Sequence, residues 1–147
     1  MKVLVVGSNG QLGRELTRQF QSRHELLLYD RPSLDITNYQ SVENLISDTN
    51  PAVVINAAAY TNVEKAEEDE HTAYRVNALG VQNLALACKK SGAKLVHIST
   101  DYVFDGTANI PYEEFDSPNP LSVYGKSKLC ARHNPSQPVG IVSVAPC

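Results

Sequence analysis

The chain has 147 residues, 42% apolar and 20% charged, which suits one globular domain with its own core and excludes disorder as the starting expectation. A formal net charge of -3 offers no basic field, so neither nucleic acid nor an acidic membrane surface is an expected partner. Apolar runs fall well short of the roughly 20 residues of a membrane helix, and MKVLVVGSNG is too short and too weakly charged for a secretory leader, so the expected setting is cytoplasmic. Cys88, Cys130 and Cys147 are odd in number, widely spaced and without a C-x-x-C, which points to reduced thiols. His24, His71, His97 and His133 stand singly and are read as structural histidines, and no metal site is expected.

In chain order, KVLVV at 2–6 reads as a first strand, followed by GSNGQLG and a helix over 11–22 whose apolar stripe is Leu12, Leu16 and Phe20. LLLY at 26–29 is the second strand, and Asn38 caps a second helix that buries Val42, Leu45 and Ile46. AVVIN at 52–56 is the third strand. The acidic run at 64–70 reads as a solvated helix start, and a third helix covers about 71–91, with Gly92 placed to end it. KLVHI at 94–98 is the fourth strand, the stretch 111–120 with Pro111, Pro118 and Pro120 is a loop, and VGIVSV at 139–144 completes a fifth strand. The strands are near-continuous apolar runs separated by helices. That alternation predicts an α/β fold, a doubly wound parallel sheet.

The strand-to-helix turn carries Gly7, Gly10 and Gly13. Gly7 suits the tight turn, Gly10 lets a pyrophosphate approach the backbone, and Gly13 lets the helix pack closely. The helix N-terminus adds N–H groups for an anion, so a Rossmann-like NAD(P) site is expected here. Asp30, at the end of strand two, reads either as the acid that binds the adenosine ribose hydroxyls or as a turn carboxylate, and Arg31 beside it leaves NADPH against NADH open. Asp35 and Ile36 either border the adenine or start the second helix. Ala57 to Ala59 end strand three with small side chains, suited to a cofactor lying on the backbone or to close packing. Tyr124 and Lys128, four apart, share a helix face, which alone is as easily a surface pair as a catalytic one.

VVGSNGQLG, the acidic end of strand two, INAAAYTNVEKAE, RVNALG, ISTDYVFDG and YGKSK occur together over residues 1–128. In that order they resemble the extended short-chain dehydrogenase/reductases, and within them the dTDP-4-dehydrorhamnose reductase family. The resemblance implies hydride transfer from NADPH or NADH to the 4-keto group of a nucleotide-linked deoxysugar in dTDP-L-rhamnose synthesis. It implies Tyr124 as proton donor and Lys128 as the charge that favours its ionisation and binds the nicotinamide ribose. Thr100 would orient the carbonyl, and Asp101 would contact the sugar or cap its own turn. Gly10, Gln11, Leu12, Ala59, Tyr60 and Thr61 would line the cofactor site. Asn77 would brace the backbone. A nucleotide-sugar substrate and a homodimer are the partners the resemblance allows.

After Leu129 the sequence leaves the family pattern, reading CARHNPSQPVGIVSVAPC, with Pro135 expected to cut the helix short. The expected organisation is one NAD(P)-binding domain over 1–147 with an atypical tail over 129–147, the substrate-binding region missing, and weak or absent activity. Two other readings stay open: a regulatory subunit resembling the methionine adenosyltransferase beta subunit, and a sugar epimerase with the same tyrosine and lysine.

Overall fold

The computed structural model describes residues 1–113, 115–131 and, as backbone, 142–144. Five parallel strands form one sheet in the order β2-β1-β3-β4-β5. They are β1 (Lys2–Val6), β2 (Glu25–Tyr29), β3 (Val53–Asn56), β4 (Lys94–Ile98) and β5 (Val142–Val144). The predicted residues 139–141 of the last strand, and Pro135, lie outside the described residues.

Alternate residues of β1 face opposite sides, and both sides are covered because Val3, Leu4, Val5 and Val6 are all apolar. Leu4 and Val6, with Val54 and Leu95, pack under α2 (Tyr39–Thr49) and α5 (Val81–Ser91), where Val42, Ile46, Leu84 and Cys88 are buried. Val3, Val5 and Ile55 face Leu16 and Phe20 of α1 (Gln11–Phe20). Asn38 caps α2 as expected, its side chain accepting from the Ser41 N–H at 3.1 Å, and Gly92 at φ 78° ends α5.

Three expectations need correction. Leu12 does not join the apolar stripe of α1; it is 40% exposed, because the first turn of the helix overhangs the carboxyl edge of the sheet. β2 is not covered on both faces, since it is the edge strand and leaves Leu28 44% exposed. The single helix over 71–91 is divided into α4 (Glu70–Tyr74), a wider π-turn segment (Arg75–Gly80) and α5, with a separate α3 (Val63–Glu68) before it. The wide segment carries Asn77, only 1% exposed, into the interior.

The chain turns one way from β1 to β2 and then crosses back to β3, so the strand order reverses between β1 and β3. A crevice outside the carboxyl ends of the strands forms at such a reversal. Among the described residues no helix is long and apolar enough to cross a membrane.

Candidate functional site

A cleft of about 950 Å³ lies at that reversal, along the carboxyl ends of β1, β3 and β4. Its first wall is the glycine turn. Gly7 has φ 79° and its N–H donates to the Tyr29 carbonyl at 2.8 Å; a Cβ there would sit 2.6 Å from the Ala58 nitrogen. A Cβ on Gly13 would lie 2.2 Å from the Gly7 carbonyl oxygen, so Gly13 serves the packing of α1 on the turn and is not among the cleft-lining residues. Gly10 differs. Its Cβ would meet only the Gly7 carbonyl oxygen, at 3.3 Å, and otherwise points into open cleft. Gly10 is also the N-cap of α1 with no side-chain cap, which leaves the first-turn N–H groups beside Gln11 and Leu12 at the cleft.

Asp30, Asp35 and Ile36 line the adjoining end of the cleft, and each also has a local task. The Asp30 carboxylate accepts from the Asn9 side-chain amide and from the Ser33 hydroxyl at 2.8 Å. Asp35 accepts from the Thr37 N–H at 2.9 Å and the Thr37 hydroxyl at 2.8 Å, which hold its carboxyl below the usual range. Ile36 is 5% exposed, its side chain occupies the space a Gly80 Cβ would need, and its carbonyl accepts from Asn83. Arg31 lines the cleft beside them.

Ala59, Tyr60 and Thr61 form the floor beyond β3. Asn77 holds them in place: its Oδ1 accepts from the Tyr60 N–H at 2.9 Å, and its Nδ2 donates to the Tyr60 carbonyl at 3.1 Å and the Ser127 hydroxyl at 2.9 Å. One buried amide thus ties this loop to the opposite wall.

That wall is α6 (Val123–Cys130) with the turn after β4. Ser122 caps α6 by accepting from the Gly125 N–H at 3.0 Å, and Glu67 accepts from the Val123 N–H at 2.8 Å. Glu67, read from sequence as part of a solvated run, therefore serves a different helix from its own. The two residues in question do share a face: Tyr124 and Lys128 both line the cleft, with Thr100 at the end of β4. Asp101 is exposed beside them, accepts from the Thr100 hydroxyl at 3.0 Å and starts a 3-10 turn (Asp101–Val103); it is not among the cleft-lining residues.

The electrostatics differ from the expectation that Lys128 favours the tyrosinate. Burial pushes the Tyr124 phenol above its ordinary value, with the Thr100 hydroxyl opposing and Asp101 and Tyr102 adding to the rise. Lys128 is not among the groups that act on it, because its Nζ is held against the sheet, donating to the Ile98 carbonyl at 2.6 Å. Lys128 is 2% exposed, and burial lowers its pKa to about 8.

Sequence reasoning passed over Gly125, and it read His97 as a structural histidine without its partners. A Cβ on Gly125 would lie 2.2 Å from the Tyr102 carbonyl oxygen, so only glycine lets α6 close on the turn after β4; a glycine inside the helical YGKSK was the available signal. His97, 1% exposed, stands between Asn56 and Lys128, and no local pattern marks that role.

A family model described as the RmlD substrate binding domain matches residues 1–133. The chain belongs to this family. It is 47% identical over 129 residues to a dTDP-4-dehydrorhamnose reductase of Aggregatibacter actinomycetemcomitans, covering 86% of this chain and 44% of that protein. The solved dTDP-4-dehydrorhamnose reductase of Clostridium acetobutylicum superposes with a TM-score of 0.88 at 50% identity, over 90% of this chain and 48% of that one. The Bacillus anthracis enzyme of the same name, solved in complex with NADP, superposes with a TM-score of 0.87 at 41% identity, over 89% and 47%. The chain therefore spans less than half the length of these relatives. They do not favour the regulatory-subunit or epimerase readings. Among the described residues no group of three or more His, Cys, Asp or Glu could hold a metal ion.

Proposed function

We propose that this chain forms the NADPH- or NADH-binding half of a reductase acting on the 4-keto group of dTDP-4-dehydrorhamnose. The observation that carries the reading is one cleft with an open glycine turn at one end and Tyr124, Lys128 and Thr100 at the other. The residues fit a dinucleotide. Gly10 leaves room for a pyrophosphate against the backbone, the α1 N-terminus supplies N–H groups, and Asp30 stands at the ribose end with Arg31 to accept an added phosphate. When bound, the nicotinamide supplies the hydride.

The chain's own residues would do the rest. A carbonyl gaining hydride develops negative charge on oxygen, so donors aimed at that oxygen lower the barrier. The Tyr124 phenol, kept protonated by its burial, gives its proton to that oxygen. The Thr100 hydroxyl, 3.0 Å from Asp101 Oδ1, turns from Asp101 to the carbonyl to orient it. Lys128 binds the nicotinamide ribose, and Asp101 contacts the sugar. A cytoplasmic setting and a homodimer belong to the same proposal, and the homodimer rests on the family resemblance alone.

The test is NADPH oxidation on adding dTDP-4-dehydrorhamnose. Slow turnover is expected, because the loop facing the sugar fixes it loosely, and Tyr124→Phe should remove it while leaving cofactor affinity unchanged. Equal turnover in Tyr124→Phe would overturn the assignment of the proton donor.

A further inference from the structure

We propose that Asn56 fixes the proton of His97 on Nε2, facing Lys128 Nζ, and so makes His97 a positioning residue that selects the charge state of Lys128. The importance given to Lys128 rests on the reading above; the proton placement does not.

Asn56 and His97 are paired across β3 and β4, and both are buried, at 0% and 1% exposed. The Asn56 Oδ1 accepts from the Ala58 N–H at 3.0 Å, which sets the amide so that its Nδ2 faces His97 Nδ1 at 3.1 Å. An amide NH2 only donates, so His97 Nδ1 must accept. A neutral imidazole carries one proton, which leaves it on Nε2. The ring is neutral because burial, aided by the charge of Lys128, lowers its pKa to about 3.

That Nε2–H stands 3.5 Å from Lys128 Nζ. An ammonium there donates to the Ile98 carbonyl at 2.6 Å but meets a second donor in His97. A neutral amine keeps the first contact and offers a lone pair to the Nε2–H. The arrangement therefore favours release of the Lys128 proton, and the opposite tautomer would favour its retention. The titratable groups placed around Lys128 are His97 from β4 and Tyr124 on its own helix; among the described residues no carboxylate pairs with it, and Asp101 acts on Tyr124 instead. Charge on the lysine that faces the cleft thus changes near neutral pH.

The experiment is nuclear magnetic resonance on the whole 147-residue chain, with 15N-labelled histidine and 13C-labelled lysine. His97 in the wild type should show the Nε2–H pattern, and Lys128 should titrate below an ordinary lysine. Asn56→Asp keeps an acceptor for the Ala58 N–H but turns the other atom into an acceptor for His97. The ring proton should move to Nδ1; the new carboxylate also raises the Lys128 midpoint by its own charge, so only the ring pattern is read in this variant. His97→Phe removes the facing N–H without adding a charge, and there the Lys128 midpoint should rise by about one unit or more, tenfold in proton affinity. A wild-type ring protonated on Nδ1, or an unmoved Lys128 midpoint in folded His97→Phe, would overturn the proposal. None of these readouts uses substrate, so a failed reductase assay and a failed proton assignment are separate results.

Discussion

The glycine-turn wall of the cleft and the loop beyond its opposite wall are built on opposite plans. The glycine-turn wall is an extension of the sheet: Gly7 and Ser8 both donate to the Tyr29 carbonyl, Ala57 donates to Val6, and Val5 and Val6 beneath them are fully buried. Beyond the opposite wall, the described residues of 101–121, none of which lines the cleft, form a loop held by its own side chains, with Asp105 accepting from Thr107, Tyr112 and Asn119 and Phe104 stacked on Tyr112 at 4.2 Å. Apolar groups stand outside it: Phe115 is 94% exposed, Ile110 74% and Leu121 70%. A backbone-built wall holds one shape without a ligand, whereas a loop stitched by exposed polar contacts is the part that yields. The cofactor side should therefore tolerate little steric change, and the sugar side much more.

The largest effect should come from filling the tight contacts that join each wall to the fold. Gly13→Val and Gly125→Val, whose Cβ atoms would each fall 2.2 Å from a carbonyl oxygen, should each cost about 3 kcal/mol or more in denaturant unfolding. Asn77→Ala should cost about 2 kcal/mol, because it leaves the Tyr60 N–H and the Ser127 hydroxyl short of a partner. Gly10→Val should move stability by only about 0.5 kcal/mol, its Cβ pointing into open cleft, yet weaken NADPH binding at least about 100-fold. Asp105→Ala should be the mildest, seen as faster amide exchange at Thr107 without change in cofactor affinity.

Acid adds a separate prediction on the wall between them. His97 is lowered from its ordinary 6.5 to about 3, so between those values the unfolded chain takes up a proton that the folded ring refuses. Stability should fall as pH drops through that window, and His97→Phe should lessen the fall relative to the wild type in unfolding curves at each pH.

The same contrast explains what could be read in advance. β1 and β4 match their apolar runs residue for residue, because buried parallel strands leave little freedom of register. The glycine turn was legible through the strand before it and the helix after it, and Tyr124 and Lys128 through their spacing. Leu12 and Leu28 were misjudged, since apolar type does not reveal which strand lies at an edge or which helical turn overhangs a cleft. The break at Arg75–Gly80 and the direction of the Tyr124 shift were not legible either. Both depend on contacts between distant segments: Asn77 reaching Tyr60 and Ser127, and Lys128 drawn to the Ile98 carbonyl.

The central claim is that the backbone-built wall binds a nicotinamide dinucleotide without help from the 101–121 loop. Its most direct test is a fluorescence titration of the folded 147-residue chain with NADPH and with NADH. Saturable binding of at least one of them, lost in an equally folded Gly10→Val sample, is the expected result. No saturable binding of either by a folded wild type, or undiminished binding by Gly10→Val, would contradict it.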